Sequence, residues 1–435
     1  MSNSKNILLA FYGDDFTGST DALEFISRAG AKTVLFTEPP TTEQLKSFPG
    51  LDAYGVAGKT RALSPTEMEK ILLPAFEQMK SIGANHIHYK VCSTFDSSPT
   101  VGSIGKAIDC GAMVFNSNMI PVLGGMPALG RYCVFGNLFA KMGIGSNGKI
   151  YRIDKQPSMS KHPVTPMNEG DLRIHLEKQT DKKIGLIDNV QQKAKKKEWL
   201  DNITDEEIVL LDTINEDELL KIGEWLNAQQ KKHGHLFSVG GSGIEMALGN
   251  SWNKAGMLKH VTKWKKIHKA ELLLVVSGSC SPVTAGQIAY AKSNDFEEVV
   301  IDAVRVCEDG MVDEYVMKKV YELLNEQKNI IVHTGEKQIQ NLSSEKLGTA
   351  LGTIAKNIVI NTGLKRVVIA GGDTSSYAAR AMEIDAVEMI APMVIGAPLC
   401  KAYSKNKKIN GLEVNFKGGQ VGSEDYFGVM VNGKL

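Results

Sequence analysis

Two adjacent carboxylates stand where an apolar run meets a tight turn. Asn6-Ile-Leu-Leu-Ala-Phe-Tyr12 leads directly into Gly-Asp-Asp-Phe-Thr-Gly-Ser-Thr-Asp (13–21). An aspartate here can accept hydrogen bonds from a polyol or take the proton of an attacking hydroxyl. The same residue types also form Asx turns and helix N-caps, so one member of the pair is expected to be structural. A third carboxylate, Asp96, lies in the polar turn Cys-Ser-Thr-Phe-Asp-Ser-Ser-Pro (92–99). Asp15 is the first candidate for a catalytic base, with Asp14 and Asp96 beside it. Two cations sit near these loops: Arg61, after Gly58-Lys59-Thr60, and Lys90, inside an otherwise apolar strand. Arginine clamps a carboxylate through two hydrogen bonds, and lysine acts as a point charge. Arg61, Lys90, Ser93 and Thr94 are therefore the candidate substrate-binding residues.

A second set of residues suits phosphate. Ser277-Gly278-Ser279, Gly371-Gly372-Asp373-Thr374 and Lys417-Gly418-Gly419 each follow an apolar strand-length run. Glycine lets the backbone approach phosphate oxygens, and helix N-termini present free amides and partial positive charge. In a parallel sheet the three turns can converge at one edge. Lys417 is a candidate to neutralise a phosphate, and Asp373 to hold magnesium directly or through water. Two Walker-like matches fail on context. In 53–60 the capped helix starts only at Ser64; in 143–149, Ile150 stands where a magnesium-ligating hydroxyl is needed. No zinc motif or Ser-His-Asp order is present, no strand is expected to be followed by a full Gly-x-Gly-x-x-Gly with a ribose-binding acid at the expected distance, and His86 and His88 read as packing residues.

These side chains need strand–turn–helix units to hold them. Strands are expected at 6–12, 33–37, 53–57, 85–91 and 112–116, with helices at 22–28, from Ser64 to about Lys80, and at 104–109. The stretch 124–164 loosens into Gly- and Pro-rich sequence, a length that is often functional. Lys193 to Lys197 is expected on a solvated helical segment. A strand at 207–211, a helix at 216–230 and a strand running into Gly240-Gly241-Ser242-Gly243 follow. The polar stretch 250–268 marks a boundary. Beyond it, apolar runs at 272–276, 330–333, 366–370 and from Gly411 alternate with helices near 283–293, 316–324, 348–361 and 371–382. This pattern predicts an α/β protein of two domains, each a mostly parallel sheet flanked by helices in three layers, with the active site in the interdomain cleft. The expected bounds are 1–250, a linker at 251–269, and 270–435.

The 435 residues suit two domains, and 43% hydrophobic with 23% charged residues is ordinary for globular chains. A net charge of +1 gives no reason to expect a nucleic-acid or membrane partner. No run approaches a membrane span, the first residues lack a secretory pattern, and six scattered cysteines read as reduced thiols. The expectation is a cytoplasmic enzyme, with a homodimer possible.

Taken together, Tyr-Gly-Asp-Asp-Phe-Thr-Gly-Ser-Thr-Asp (12–21), Gly-Val-Ala-Gly-Lys-Thr-Arg (55–61), Tyr-Lys-Val-Cys-Ser-Thr-Phe-Asp-Ser-Ser-Pro (89–99), Val-Ser-Gly-Ser-Cys-Ser-Pro-Val-Thr (276–284), Gly-Gly-Asp-Thr-Ser (371–375) and Lys-Gly-Gly-Gln-Val-Gly (417–422) resemble the four-carbon acid sugar kinases, long known as a domain of unknown function. The resemblance runs through nearly the whole chain in order. It implies ATP-dependent phosphorylation of the terminal hydroxyl of threonate, erythronate or 3-oxo-tetronate. It further implies an N-terminal acid-sugar domain and a C-terminal nucleotide domain, with Ser277, Gly372 and Gly419 at nucleotide-contacting positions. Ser376-Tyr377 and the stretch 116–164 depart from the family pattern. The rival reading is a non-catalytic sensor of an acid sugar and a nucleotide, which would have no need of Asp14, Asp15 and Asp373.

Overall fold

The computed structural model describes residues 6–142, 148–162, 164–201, 203–309, 314–335 and 342–433. The chain divides into two compact units, Met1–Val34 with Pro39–Thr262, and Leu35–Glu38 with Lys263–Leu435. Each is built on a mostly parallel sheet flanked by helices. The second Walker-like match, 143–149, falls largely outside the described residues. No described helix is long and apolar enough to cross a membrane.

In the first unit the strands are β1 (Leu9–Gly13), the first two residues of β2 (Thr33–Phe36), β3 (Ala53–Ala57), β4 (His86–Lys90), β5 (Ile120–Leu123), β6 (Arg131–Val134), β7 (Asn137–Lys141), β8 (Ile150–Arg152), β9 (Ile184–Ile187), β10 (Ile208–Leu211) and β11 (Leu236–Gly240). The order β3-β1-β4-β11-β5-β10-β9 is parallel throughout. Helices cover it as βαβ crossovers require. Phe16–Arg28 packs with Gly243–Lys254, which packs with Glu216–His233; Pro65–Ile82 packs with Ile104–Phe115. An aromatic cluster ties that second pair to the sheet. Phe76 and Phe115 lie 5.5 Å apart, Phe115 and Phe237 stack at 5.3 Å, and Tyr12 and Tyr89 stack at 6.2 Å. Such rings carry much of a core's burial energy, and Phe→Ala in a core costs ~3–5 kcal/mol.

The expected strand at 112–116 is instead the end of helix Ile104–Phe115. Ser103 caps it through the Lys106 amide (3.1 Å), and Ile104, Ala107, Ile108, Gly111, Val114 and Phe115 bury one helical face. Asn116 ends it in the left-handed region (φ 50°), and the strand follows at Ile120. A short apolar run fits either period, and here the helical face wins. The loose stretch after Gly124 contains a second, antiparallel sheet, β6-β7-β8. The basic run forms two single 3-10 turns, Gln191–Lys193 and Lys196–Glu198, rather than a helix.

The second unit holds β12 (Leu274–Ser277), β13 (Phe296–Val300), β14 (Asn329–His333), β15 (Arg366–Ala370), β16 (Ala386–Val394), β17 (Ala397–Tyr403) and β18 (Glu413–Lys417). The order is β13-β14-β12-β15-β18-β17-β16, parallel up to β18 and antiparallel beyond it. Leu35 and Phe36, which belong to this unit, pair antiparallel with Val387 and Ala386.

Candidate active site

Register decides which residues meet. In the first unit Gly13 lies opposite Ala57 and Lys90, and Lys90 lies opposite Gly240. Four strands therefore end at one level, and the turns after them share a rim. Ligands bind at such carboxyl-terminal edges of parallel sheets.

Asp14, Asp15 and Arg61 are brought together there. The Arg61 guanidinium donates to both Asp14 oxygens (3.2 and 3.3 Å) and lies 2.7 Å from Asp15 Oδ2. Asp15 is the N-cap of helix Phe16–Arg28. Its Oδ1 accepts from the Gly18 amide (2.6 Å) and its Oδ2 from the Thr17 hydroxyl (3.0 Å). Asp14 accepts instead from the Cys92 amide (3.3 Å). Burial, reinforced by the neighbouring Asp15, raises the pKa of Asp14 against the pull of Arg61 and Lys90. Burial also opposes ionisation of Asp96. There the Arg61 charge, the Thr94 hydroxyl at 2.5 Å and His162 outweigh it and hold the carboxyl below its ordinary value. Arg61 itself is held well above its usual range: burial works against it, and Asp14 and Asp15 more than compensate.

Lys90 ends β4 fully buried. Its ammonium donates to the Val91 carbonyl (2.8 Å) and lies 3.7 Å from Asp21, whose other contact is the Ser242 hydroxyl (2.6 Å). A Cβ placed on Gly18 would sit 2.7 Å from Asp15 Oδ1, 3.2 Å from Lys90 Nζ and 3.8 Å from Asp14 Oδ1. Only a hydrogen at this position lets the three charged groups face one small space. Ser93 lies against Gly241, where an added Cβ would come within 3.5 Å of its Cα. Behind the rim, His88 Nδ1 lies 2.6 Å from Glu245 Oε1 in full burial, and His86 bonds to Asn227 (3.0 Å). Among the described residues no group of three or more His, Cys, Asp or Glu is placed to hold a metal.

Sequence reasoning passed over four participants. Asp21 closes the opening motif, and Ser242 sits in the glycine run after β11. Arg131 and His162 lie in the loose stretch, whose length was the only signal. Arg131 Nη1 donates to the Leu129 and Lys141 carbonyls (2.8 and 3.2 Å), while its Nε is buried with no hydrogen-bond partner. Burial lowers its pKa, and Cys92, Asp21 and Asp96 act against that loss.

The second unit builds its rim by the same rule. Ser277, Ala370 and Lys417 share one level across β12, β15 and β18. The Gly278 amide donates to Ala370 (3.2 Å) and the Gly371 amide to Lys417 (2.9 Å). The three turns touch. A Cβ on Gly278 would meet Thr374 Oγ1 at 2.5 Å, and one on Gly419 would meet Ser279 Oγ at 3.3 Å. Gly371 has φ 119°, and a Cβ there would lie 2.8 Å from Thr374 Oγ1 and 3.5 Å from the Ser279 amide. Helix Gly372–Ala381 starts here without a side-chain cap, so its first turn, which contains Asp373, offers amides to an anion. The Lys417 ammonium turns inward. It donates to Thr284 Oγ1 (3.0 Å) and the Gly418 carbonyl (2.9 Å), above the Tyr426 ring, and burial pushes its pKa down to about 7. Lys417 thus holds the third turn from behind. Magnesium commonly takes one or two carboxylates plus substrate phosphates and water, so the Asp373 carboxylate in this turn fits that ion.

Comparison with known proteins divides the chain at the same place. Residues 9–248 match the family described as "Sugar-binding N-terminal domain" and residues 274–427 the one described as "Nucleotide-binding C-terminal domain". The 3-oxo-isoapionate kinase of Paraburkholderia graminis is 39% identical over 99% of this chain and 95% of its own length. The 3-oxo-tetronate kinase of Pseudomonas savastanoi pv. phaseolicola is 27% identical over 98% and 97%. A solved structure from Salmonella typhimurium superposes with a TM-score of 0.75 at 23% identity, covering 98% of each chain. One from Haemophilus influenzae gives 0.69 at 20% identity, covering 97% and 98%. Those two likenesses establish the fold.

Proposed function

Because this chain belongs to the four-carbon acid sugar kinase family and is a sugar-acid kinase, we propose that it transfers the γ-phosphoryl group of ATP to the terminal C4 hydroxyl of a 3-oxo acid of that class. Both relatives described above are named for 3-oxo acids, which favours 3-oxo-tetronate or 3-oxo-isoapionate over threonate and erythronate. The observation that carries this reading is the cluster of Asp14, Asp15, Arg61 and Lys90 around Gly18. It offers a base and cations to one small anionic polyol.

Asp15 is committed to the helix start, so the acceptor proton is assigned to Asp14. A carboxyl with a raised pKa is the better base near neutral pH. Lys90 and Arg131 would meet the substrate carboxylate, Lys90 as a buried point charge and Arg131 through its buried, unpartnered Nε. Arg61 braces both aspartates and keeps Asp96 ionised. The amides of Gly372–Thr374 and the hydroxyls of Ser277 and Ser279 would receive the phosphates. Magnesium, when bound at Asp373, supplies neutralisation of the phosphate charge. Phosphoryl transfer needs little beyond such positioning and neutralisation. The test is a product assay with γ-labelled ATP against 3-oxo-tetronate, 3-oxo-isoapionate, threonate and erythronate. Label in a phosphorylated 3-oxo acid is expected. Binding of acid and nucleotide with no transfer to any of the four would leave the sensor reading standing.

A further inference from the structure

The turn that carries Asp96 is strained at its centre. Phe95 is fully buried with φ 54°, in the left-handed region that a bulky side chain seldom adopts. Such a conformation persists only where its surroundings over-determine it, and it is met most often at functional sites. Its neighbours serve the first rim. The Thr94 hydroxyl donates to Asp96 Oδ1 (2.5 Å), and the Cys92 amide donates to Asp14 Oδ2 (3.3 Å). The turn is held from behind. The Ser97 hydroxyl donates to the Phe95 carbonyl (3.0 Å), which uses its only proton. Ser97 Oγ is then an acceptor, for the Gln179 side-chain amide (3.0 Å) and for the N–H at His175 Nε2 (2.8 Å).

His175 is buried on helix Leu172–Glu177, and Gln179 lies just past its end. Both are anchored in turn. Gln179 Oε1 accepts from the Gly105 amide (3.3 Å), in the first turn of helix Ile104–Phe115. The Leu172 amide donates to the Gly136 carbonyl (2.9 Å), between β6 and β7. Burial pushes the His175 pKa down to about 4, so near neutral pH the ring acts by direction and not by charge.

We propose that Ser97, His175 and Gln179 are positioning residues for the acceptor site, a brace that holds Phe95 in its strained turn and so keeps Asp96 and the Cys92 amide in place beside Arg61 and Asp14. The inference rests on the reading of this rim as the acid-sugar site with Asp14 as its base. Without the brace, relief of the Phe95 strain moves both groups. The second unit's rim shares none of these bonds, so the loss falls on turnover of the acid and not on ATP.

The test compares His175→Leu with His175→Gln, whose side-chain amide can still donate to Ser97. Kinetics with ATP and whichever of the four acids wild type phosphorylates are run where each variant is folded by circular dichroism. His175→Leu is expected to lower kcat ~10- to 100-fold with KM for ATP changed by less than about twofold, and His175→Gln to stay within about threefold of wild type. Full kcat in folded His175→Leu would overturn the brace, because a residue that only fills the core lowers the melting temperature and leaves turnover of the folded protein intact. Equal loss in both variants would also overturn it, since the hydrogen bond would then not be what matters. Should His175→Leu not fold, Gln179→Leu decides at a less buried position: it removes one of the two donors to Ser97 and should lower kcat at least ~3-fold. Unchanged kcat there would count against the brace in the same way. Wild-type protein that phosphorylates none of the four acids would remove the acceptor reading and this inference with it.

Discussion

In the first unit the strand ends carry Asp14, Asp15, Arg61 and Lys90, charged side chains of which Arg61 is partly exposed and the other three are buried. In the second the corresponding ends carry Ser277, Gly371 and Gly419, and Lys417 is buried with its ammonium on Thr284 and the Gly418 carbonyl. Both rims lie at the carboxyl edge of parallel strands, so the architecture does not separate them. The ligand does. Phosphate brings its own charge and many oxygens, and amides at a helix start meet it with little need for side chains. A small acid sugar must be told from others like it, and that takes groups of fixed position and sign. The cost is a set of buried charges that hold only while each keeps its partner: removing one member of a buried pair costs ~3–5 kcal/mol.

The contrast is broken most sharply at the opening turn. Asp14→Asn should fold and lower kcat by at least ~100-fold, the usual loss of a general base. Asp15→Asn keeps an acceptor for the Gly18 amide but loses the charge facing Arg61, so it should lower the melting temperature more than Asp14→Asn does. Because burial raises the Asp14 pKa, wild-type kcat should fall with decreasing pH while still above the ordinary aspartate range. The same shift makes the folded state the stronger proton binder. Asp14's contribution to stability therefore declines as pH rises from the unfolded to the folded pKa. Wild-type turnover in Asp14→Asn would move the base to Asp15 or Asp96.

Gly371→Ala is the matching test of the backbone-built rim. Its φ of 119° and the 2.8 Å approach to Thr374 Oγ1 leave no room for a Cβ. ATP affinity should fall at least ~10-fold, with KM for the acid unchanged. Loss of acid affinity instead would mean that the two rims do not divide the ligands as described.

Arg131→Ala asks whether the loose stretch belongs to the acid site. Loss of a charge-assisted hydrogen bond of ~1.5–3 kcal/mol should raise KM for the acid by ~10- to 100-fold, leaving kcat and the KM for ATP nearly unchanged. A fall in kcat at constant KM would make Arg131 a group acting on the transition state.

Lys417 should give the smallest effect. Its folded pKa of about 7 lies below the unfolded value, so the unfolded chain binds the extra proton between them. The stability it contributes should rise with pH from about 7 toward the ordinary lysine range, a slope read by denaturation at several pH values. Lys417→Met should flatten that slope. An identical slope in the variant would assign the dependence to another group.

Part of this was legible in the residues. The apolar runs ending in Gly-Asp-Asp, Ser-Gly-Ser, Gly-Gly-Asp and Lys-Gly-Gly marked strand ends, because local hydrophobic period and turn chemistry need no distant partner. The helix through Ala112–Phe115 was misread because a short apolar run carries no decisive period. The β6-β7-β8 sheet went unseen because its strands are short and only partly buried, so their sequence shows little alternation.

Residue types and spacing determined that two parallel-sheet units would present polar turns at their strand ends, and which turns those would be. They carried the paired aspartates, Arg61 and the three glycine turns, since each is a local signal. Tertiary structure decided which carboxylate was spent on the helix start. It decided that Lys417 faces inward, and that Asp21, Ser242 and Arg131 join the first rim from 100 or more residues apart. Those outcomes depend on strand register and on what lies behind each side chain. Burial, not residue type, sets whether a charge is a partner, a base or a brace.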